Sequence, residues 1–352
     1  MRVGIIGLPH SGKTTIFNAV AGACAAVGGF GQPDEIHRAI VKIPDTRLDR
    51  LHAMLQSRKK VAAEIEYFDF PPPARGAKDS EHVFPQLLRE CDGVVAVINC
   101  FEPELGQTPL ERLRALQSDM LLADFIVADK RRERLAKETA RGAKCDPIEL
   151  AAITKAAELL ENEIPLRNTD FTERELGFLR SYAFLSLKPL VVVLNTGEGM
   201  EITPEVFAHF EADPLMKAHT AVTSMSGKVE MELAGLDDSD RAAFLADFGI
   251  SEPATAKLIR LTYGLLNLIT FFTGAEKESH AWPVKRGSTA PQAAGQIHQD
   301  FERGFIRAEV VPVEEFVNLG GMAACRKAAV ARLEGKDYVV EDGDYILFRF
   351  NV

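Results

Sequence analysis

Gly7-Leu8-Pro9-His10-Ser11-Gly12-Lys13-Thr14 follows the apolar run Arg2-Val3-Gly4-Ile5-Ile6 and leads into Thr15-Ile16-Phe17-Asn18-Ala19-Val20. The eight residues match G-x-x-x-x-G-K-[ST], and their flanks read as a buried parallel strand and the opening of a helix. Strand, glycine loop and helix together are the setting in which this spacing cradles a phosphate. Gly7 and Gly12 carry no Cβ, so the backbone can wrap closely around an anion. Loop N–H groups and the helix N-terminus then point at it. On this reading Pro9, His10, Ser11, Gly12, Lys13, Thr14 and Thr15 form a nucleotide seat. Lys13 reaches the β- and γ-phosphates and steadies charge on the transferring group, and the Thr14 hydroxyl holds Mg²⁺.

Outward from the loop, Arg38–Ile43 alternates as a strand, Thr46–Gln56 reads as a helix, and Ala63–Asp69 is a second strand. An aspartate closing a hydrophobic strand is the usual second Mg²⁺ anchor, acting through a water, which nominates Asp69. Switch-type nucleotidases continue D-x-x-G, with the glycine N–H on the γ-phosphate. This chain continues Asp69-Phe70-Pro71-Pro72-Pro73. Pro72 stands in the glycine's place and has no N–H to offer. Pro73 cannot orient an attacking water. The glycine-rich stretch Val27–Pro33 reads as a loop, and no threonine between Thr15 and Thr46 is present to complete a metal shell.

Gly93–Ile98 and Pro189–Leu194 are continuous apolar runs, as strands buried on both faces require. Asn195-Thr196-Gly197-Glu198 follows the second. GTPases read N-K-x-D at such a loop, the aspartate accepting from the guanine. A glutamate changes that reach and the stacking lysine is missing, so adenine or a relaxed base choice becomes plausible. Asn195, Thr196 and Glu198 frame the base on this reading, with Ser226 after the strand His219–Ser224. Between the two apolar runs lies a helical insertion. Leu113, Leu116, Met120, Ala123 and Val127 follow heptad spacing, Gly142 breaks the helix, and Asp146-Pro147 starts a return helix with Ile153, Ala156 and Leu160 on one face. Thr172–Glu175 is a capping box for a third helix. This is the pattern of an antiparallel coiled-coil hairpin. Residues 126–145 hold seven basic and three acidic side chains. They read either as a solvated helix face or as an RNA or ribosome contact.

From Asn267 the pattern changes. Leu268–Phe272 and His280–Val284 read as strands, Thr289–His298 as a helix, and Tyr338–Val340 and Tyr345–Phe350 as strands around the turn Glu341–Asp344. Strands around one helix suggest a small β-grasp module. The net charge of −10 argues against broad non-specific nucleic-acid binding. Five widely spaced cysteines form no C-x-x-C pair and fit a reducing compartment. The N-terminus runs straight into a strand with no signal peptide, and no uncharged apolar run reaches membrane-spanning length, so a cytoplasmic protein is expected. A coiled coil paired within one chain favours a monomer.

These residues resemble the YchF/Obg-like ATPase family of P-loop NTPases, along essentially the whole chain. The resemblance rests on Gly7-Leu8-Pro9, Pro44-Asp45-Thr46-Arg47-Leu48-Asp49, Arg89-Glu90-Cys91-Asp92, Lys188-Pro189, and above all Gly287–Gly295, Arg303–Glu309 and Phe348–Val352. It implies an α/β architecture: a Ras-like nucleotide domain over residues 1–118 and 186–266, an inserted hairpin over 119–185, and a C-terminal TGS β-grasp domain over 267–352. It also implies Mg²⁺, binding of ATP at least as well as GTP through the N-x-x-E loop, slow hydrolysis, and ribosome association. Three positions depart from the family pattern: His10 replaces an asparagine, the switch threonine is absent, and prolines follow Asp69. A ribosome or RNA adaptor that binds nucleotide without hydrolysis and acts through the basic hairpin tip and the TGS domain, or a GTP-preferring GTPase, are the alternatives this sequence leaves open.

Overall fold

The computed structural model describes residues 1–22, 36–73, 84–101, 107–142, 145–247 and 250–351. The stretch 27–33 and Lys144 lie outside them. The described chain forms two compact units, 1–40 with 66–265 and 41–65 with 266–352.

The first unit is built on a six-stranded sheet in the order β2-β4-β1-β5-β6-β7. The strands are β1 (Arg2–Gly7), β2 (His37–Lys42), β4 (Glu64–Asp69), β5 (Gly93–Asn99), β6 (Leu190–Asn195) and β7 (Thr220–Met225), with β3 (Lys59–Val61) belonging to the other sheet. From β4 through β7 every pairing is parallel. All residues of β5 and β6 are buried, which is why these segments are apolar without alternation. The order leaves β1 in the middle of the sheet, its carboxyl end beside that of β5. Open α/β sheets bind ligands at those ends.

Between β5 and β6 runs the insertion. Its first helix, Pro109–Ala140, is 32 residues long and opens on a capping box made by Thr108 and Glu111. The heptad series read from the sequence divides into two roles here. Leu113, Leu116, Met120 and Ala123 pack into the sheet's own core with Ile98, Val192 and Leu194. The hairpin seam is instead Leu121, Ala128 and Leu135, against Ala152, Ile153, Ala156 and Leu160 of the return helix Pro147–Glu161. One long helix thus passes from one core to a second, and the sequence period alone does not mark the crossing. The third helix, Glu173–Ser181, carries the expected Thr172–Glu175 capping box.

A buried polar cluster fixes the root of the insertion. Asp124, fully buried, accepts from Arg89 Nη1 at 2.9 Å, Leu185 N at 3.0 Å and Ser186 N at 2.6 Å. Arg167 donates to Gln117 Oε1 at 2.6 Å, and burial pushes its pKa down to about 10. Further out, Arg131, Arg132, Arg134 and Lys137 each face an acid: Glu149, Asp129, Glu138 and Glu133.

The second unit has a sheet in the order β11-β10-β12-β8-β9-β3, with β8 (Leu268–Gly274), β9 (Glu278–Lys285), β10 (Phe305–Pro312), β11 (Arg332–Glu334) and β12 (Asp344–Phe350). The helix Ala290–Ile297 packs Ala290, Ala293 and Ala294 onto Phe271, Val310 and Ile346. Two features differ from the sequence reading. Tyr338–Val340 is not a strand; Val339 makes a single bridge to Thr289, while β12 pairs antiparallel with β10 and parallel with β8. Residues 41–65 also belong to this unit. Their helix Thr46–Leu55 is tied to it by Arg47, which donates to Asp342 Oδ2 at 2.8 Å and lies over the Phe272 ring. Among the described residues no helix is long and apolar enough to cross a membrane.

Candidate nucleotide site

A cleft of ≈ 340 Å³ opens at the carboxyl end of β1, lined by residues 8–15 with Pro72 and Phe101. Its floor is the loop read from the sequence. Gly12 is the N-cap of the helix Lys13–Ala21, with φ 81° and no side-chain cap. The first amides of that helix therefore keep their N–H groups free of a competing side chain, as an anion site needs. A Cβ at Gly12 would run into the Asn195 side-chain amide, and one at Gly7 would lie 2.8 Å from the Val97 carbonyl oxygen. Both glycines are required by close approach as well as by turn geometry. His10 also holds a left-handed backbone, φ 62°.

Lys13, Thr14 and Asp69 converge on one point. Thr14 Oγ1 donates to Asp69 Oδ2 at 2.6 Å, and Lys13 Nζ lies 3.3 Å from Asp69 Oδ1. Asp69 is 2% exposed, and its Oδ1 accepts no hydrogen bond. The buried Asp69 carboxylate and the Thr14 hydroxyl beside it are oxygen ligands suited to a hard divalent cation, and the Lys13 ammonium next to them is placed to meet an anion.

The loop is held from beneath by two asparagines. Asn99 Nδ2 donates to His10 O at 3.2 Å and Asn195 Nδ2 donates to Ser11 O at 3.0 Å. Asn195 Oδ1 accepts from Gly227 N at 3.0 Å, and Asn99 Oδ1 accepts from Phe101 N at 2.9 Å. Arg112, at the start of the long helix, donates to Asn99 O at 2.6 Å. Between these strand ends, burial pushes the Cys100 thiol up to about 11, so it stays protonated at neutral pH.

The sequence-predicted residues divide accordingly. Pro9 through Thr15 line the cleft and Asp69 reaches Lys13 and Thr14. Asn195 is buried with both side-chain polar atoms engaged by the loop and by Gly227, and Thr196 is buried beside it. Ser226 has its hydroxyl buried without a partner. Glu198 is 73% exposed, 3.9 Å from Lys228. Phe101, which sequence reasoning passed over, stands between Gly12 and Gly197: Cβ atoms built on those glycines would lie 3.7 Å and 3.5 Å from it. Its signal was weak but present, since β5 and β6 both end in asparagine and an aromatic follows the first.

Comparison with known proteins places this arrangement. A family model named YchF-GTPase_C, described as a protein of unknown function (DUF933), matches residues 268–351. The chain is 38% identical over 363 residues to the ribosome-binding ATPase YchF of Haemophilus influenzae, covering 100% of this chain and 99% of that one. It is 35% identical over 370 residues to the protein of that name from Bacillus subtilis, covering both chains fully. The solved structure of the Schizosaccharomyces pombe YchF GTPase superposes with a TM-score of 0.81 at 25% identity, over 99% of this chain and 97% of that one.

Proposed function

The chain belongs to the YchF family, and on that premise we propose that it is a cytoplasmic, Mg²⁺-dependent nucleotide-binding protein that hydrolyses ATP slowly and works on the ribosome. The observation that carries the chemistry is the convergence of Lys13 and Thr14 on Asp69 beneath an uncapped helix N-terminus. Loop N–H groups hold the phosphates. Lys13 exchanges its carboxylate contact for the β- and γ-phosphate oxygens, a move open to a flexible four-carbon side chain. Thr14 and Asp69 are the residues that would hold Mg²⁺, which neutralises phosphate charge when bound. Lys13 also steadies the charge that develops on the transferred group.

Glu198, exposed beyond the end of β6, replaces the aspartate of guanine-specific loops, and Thr196 replaces their stacking lysine. Phe101 offers the base a ring face, and such stacking tolerates any base. ATP is then accepted at least as well as GTP. Slow turnover follows from Pro72, which lines the cleft where an N–H to the γ-phosphate is the usual arrangement. In the same reading residues 1–118 and 186–266, apart from the stretch 41–65 that belongs to the C-terminal unit, are the nucleotide domain, 119–185 the hairpin, and 267–352 the TGS domain, in a monomer.

Phosphate release from ATP, with and without ribosomes, tests the proposal. The wild type is expected to turn over slowly and Lys13→Ala to lose at least about 100-fold. Tight ATP binding with no phosphate release in either condition would leave an adaptor and remove the enzyme.

A further inference from the structure

The inserted helix Pro109–Ala140 reaches toward the phosphate loop through a side chain near its start. Arg112 stands in its first turn and is 4% exposed. A cation there opposes the helix dipole, whose positive end lies at the N-terminus. Burial adds to the cost, since the guanidinium gives up its hydration. What Arg112 holds is the main-chain carbonyl of Asn99, to which its Nη1 donates at 2.6 Å. Asn99 is the last residue of β5 and is fixed at two further atoms. Phe101 N donates to its Oδ1 at 2.9 Å, and its Nδ2 donates to His10 O at 3.2 Å. With Leu8, Pro9 and Ser11, Arg112 also lines a cavity of ≈ 10 Å³ between the loop and β5, about the least space that one water needs. The guanidinium thus lies close behind the loop, although no residue of the long helix lines the nucleotide cleft itself.

A buried cation set against its own helix dipole is explained if the atom it holds matters to the ligand. We propose that Arg112 is a positioning residue for the nucleotide triphosphate, acting through Asn99. The inference rests on the nucleotide reading above. By fixing the Asn99 carbonyl, Arg112 fixes where β5 ends and the direction in which Asn99 sends its amide to His10. His10 needs that support, because its left-handed backbone, φ 62°, is strained for a residue other than glycine. If Asn99 is released, this turn relaxes and the loop N–H groups no longer converge on the phosphates. Phe101, held through Asn99 Oδ1, shifts with it. A residue of the insertion therefore shapes the phosphate loop from outside the cleft.

The test is calorimetric titration with ATP, paired with steady-state phosphate release, on the full chain. The variants are Arg112→Met, Arg112→Lys, Asn99→Ala, the double variant Arg112→Met with Asn99→Ala, and Arg167→Met as a control. Arg167 is equally buried at the root of the same insertion but donates to Gln117 and Ser186. Arg112→Met should weaken ATP binding roughly tenfold, the loss of one hydrogen bond from a charged donor. KM should rise with kcat held within about twofold, because a loop shaped in advance serves ground and transition states alike. Arg112→Lys keeps a charged donor and should recover most of the affinity. The double variant should bind no more weakly than Asn99→Ala alone, since residues that act through one contact do not add. Arg167→Met should lower the melting temperature and leave ATP affinity unchanged. Four results would each overturn the proposal and leave the nucleotide reading standing: unchanged affinity in Arg112→Met, additive losses in the double variant, a lysine variant as weak as the methionine one, or an equal loss of affinity in Arg167→Met. No ATP binding by the wild type would instead remove the nucleotide reading, and this inference with it.

Discussion

Asn99 and Asn195 are register partners at the carboxyl ends of β5 and β6, and their side-chain amides donate to consecutive carbonyls of the phosphate loop, His10 and Ser11. Two neighbouring strands therefore end in the same residue for the same mechanical reason. The loop's N–H groups must face the ligand, so its carbonyls turn away from it and need donors from below. The amides supply them before any ligand arrives, which lowers the ordering cost of binding. They also brace His10 in its left-handed backbone.

Asn195→Ala removes the partner of Ser11 O and of Gly227 N together. Each unmet buried group costs about 1–3 kcal/mol. Calorimetry should show nucleotide affinity at least tenfold weaker, with a lower melting temperature. Asn99→Ala should act in the same direction. Unchanged affinity in both would mean the loop holds its shape unaided.

Asp124→Ala strips the carboxylate from Arg89 and from two backbone amides in the fully buried root of the insertion. Breaking a buried pair from one side costs about 3–5 kcal/mol. Chemical denaturation should register a loss of that size. A loss below about 1 kcal/mol would show that water reaches Arg89 and that the cluster does not fix the helix.

Pro72→Gly restores an N–H at a position that lines the cleft. Phosphate release should rise several-fold, with ATP affinity little changed, since a contact to the transferring group acts mainly on kcat. No rise would assign the slow turnover to the absent switch threonine instead.

Phe101→Ala removes the ring between Gly12 and Gly197. Loss of an aromatic face under a base costs about 1–3 kcal/mol, and ATP and GTP should weaken by similar factors. A selective loss of one nucleotide would show that Phe101 discriminates between bases rather than merely supporting them.

Much of this was legible in the residues, and the reasons differ by element. The strand–loop–helix at residues 2–21 is written locally, in glycine placement and an apolar run, and forms where expected. β5 and β6 were legible because burial on both faces leaves no polar position. The hairpin was legible as a shape but not in its seam, because Leu113 and Leu121 lie on one continuous helix yet serve different cores. β3 was invisible: Lys59-Lys60-Val61 has no strand pattern and is recruited by β9, more than two hundred residues away in sequence. Asn195 was legible as a site residue, but its engagement with Ser11 and Gly227 emerges only when strand ends are set side by side.

The central claim is that the cleft over Gly12 seats a purine triphosphate with Mg²⁺, and its most direct measurement is isothermal titration of the protein with ATP and with GTP, in Mg²⁺ and again in excess chelator. The account predicts a one-to-one heat with ATP at least as tight as with GTP, weakened at least tenfold without Mg²⁺ and by Lys13→Ala. No heat with either nucleotide, or a strong preference for GTP, would contradict it.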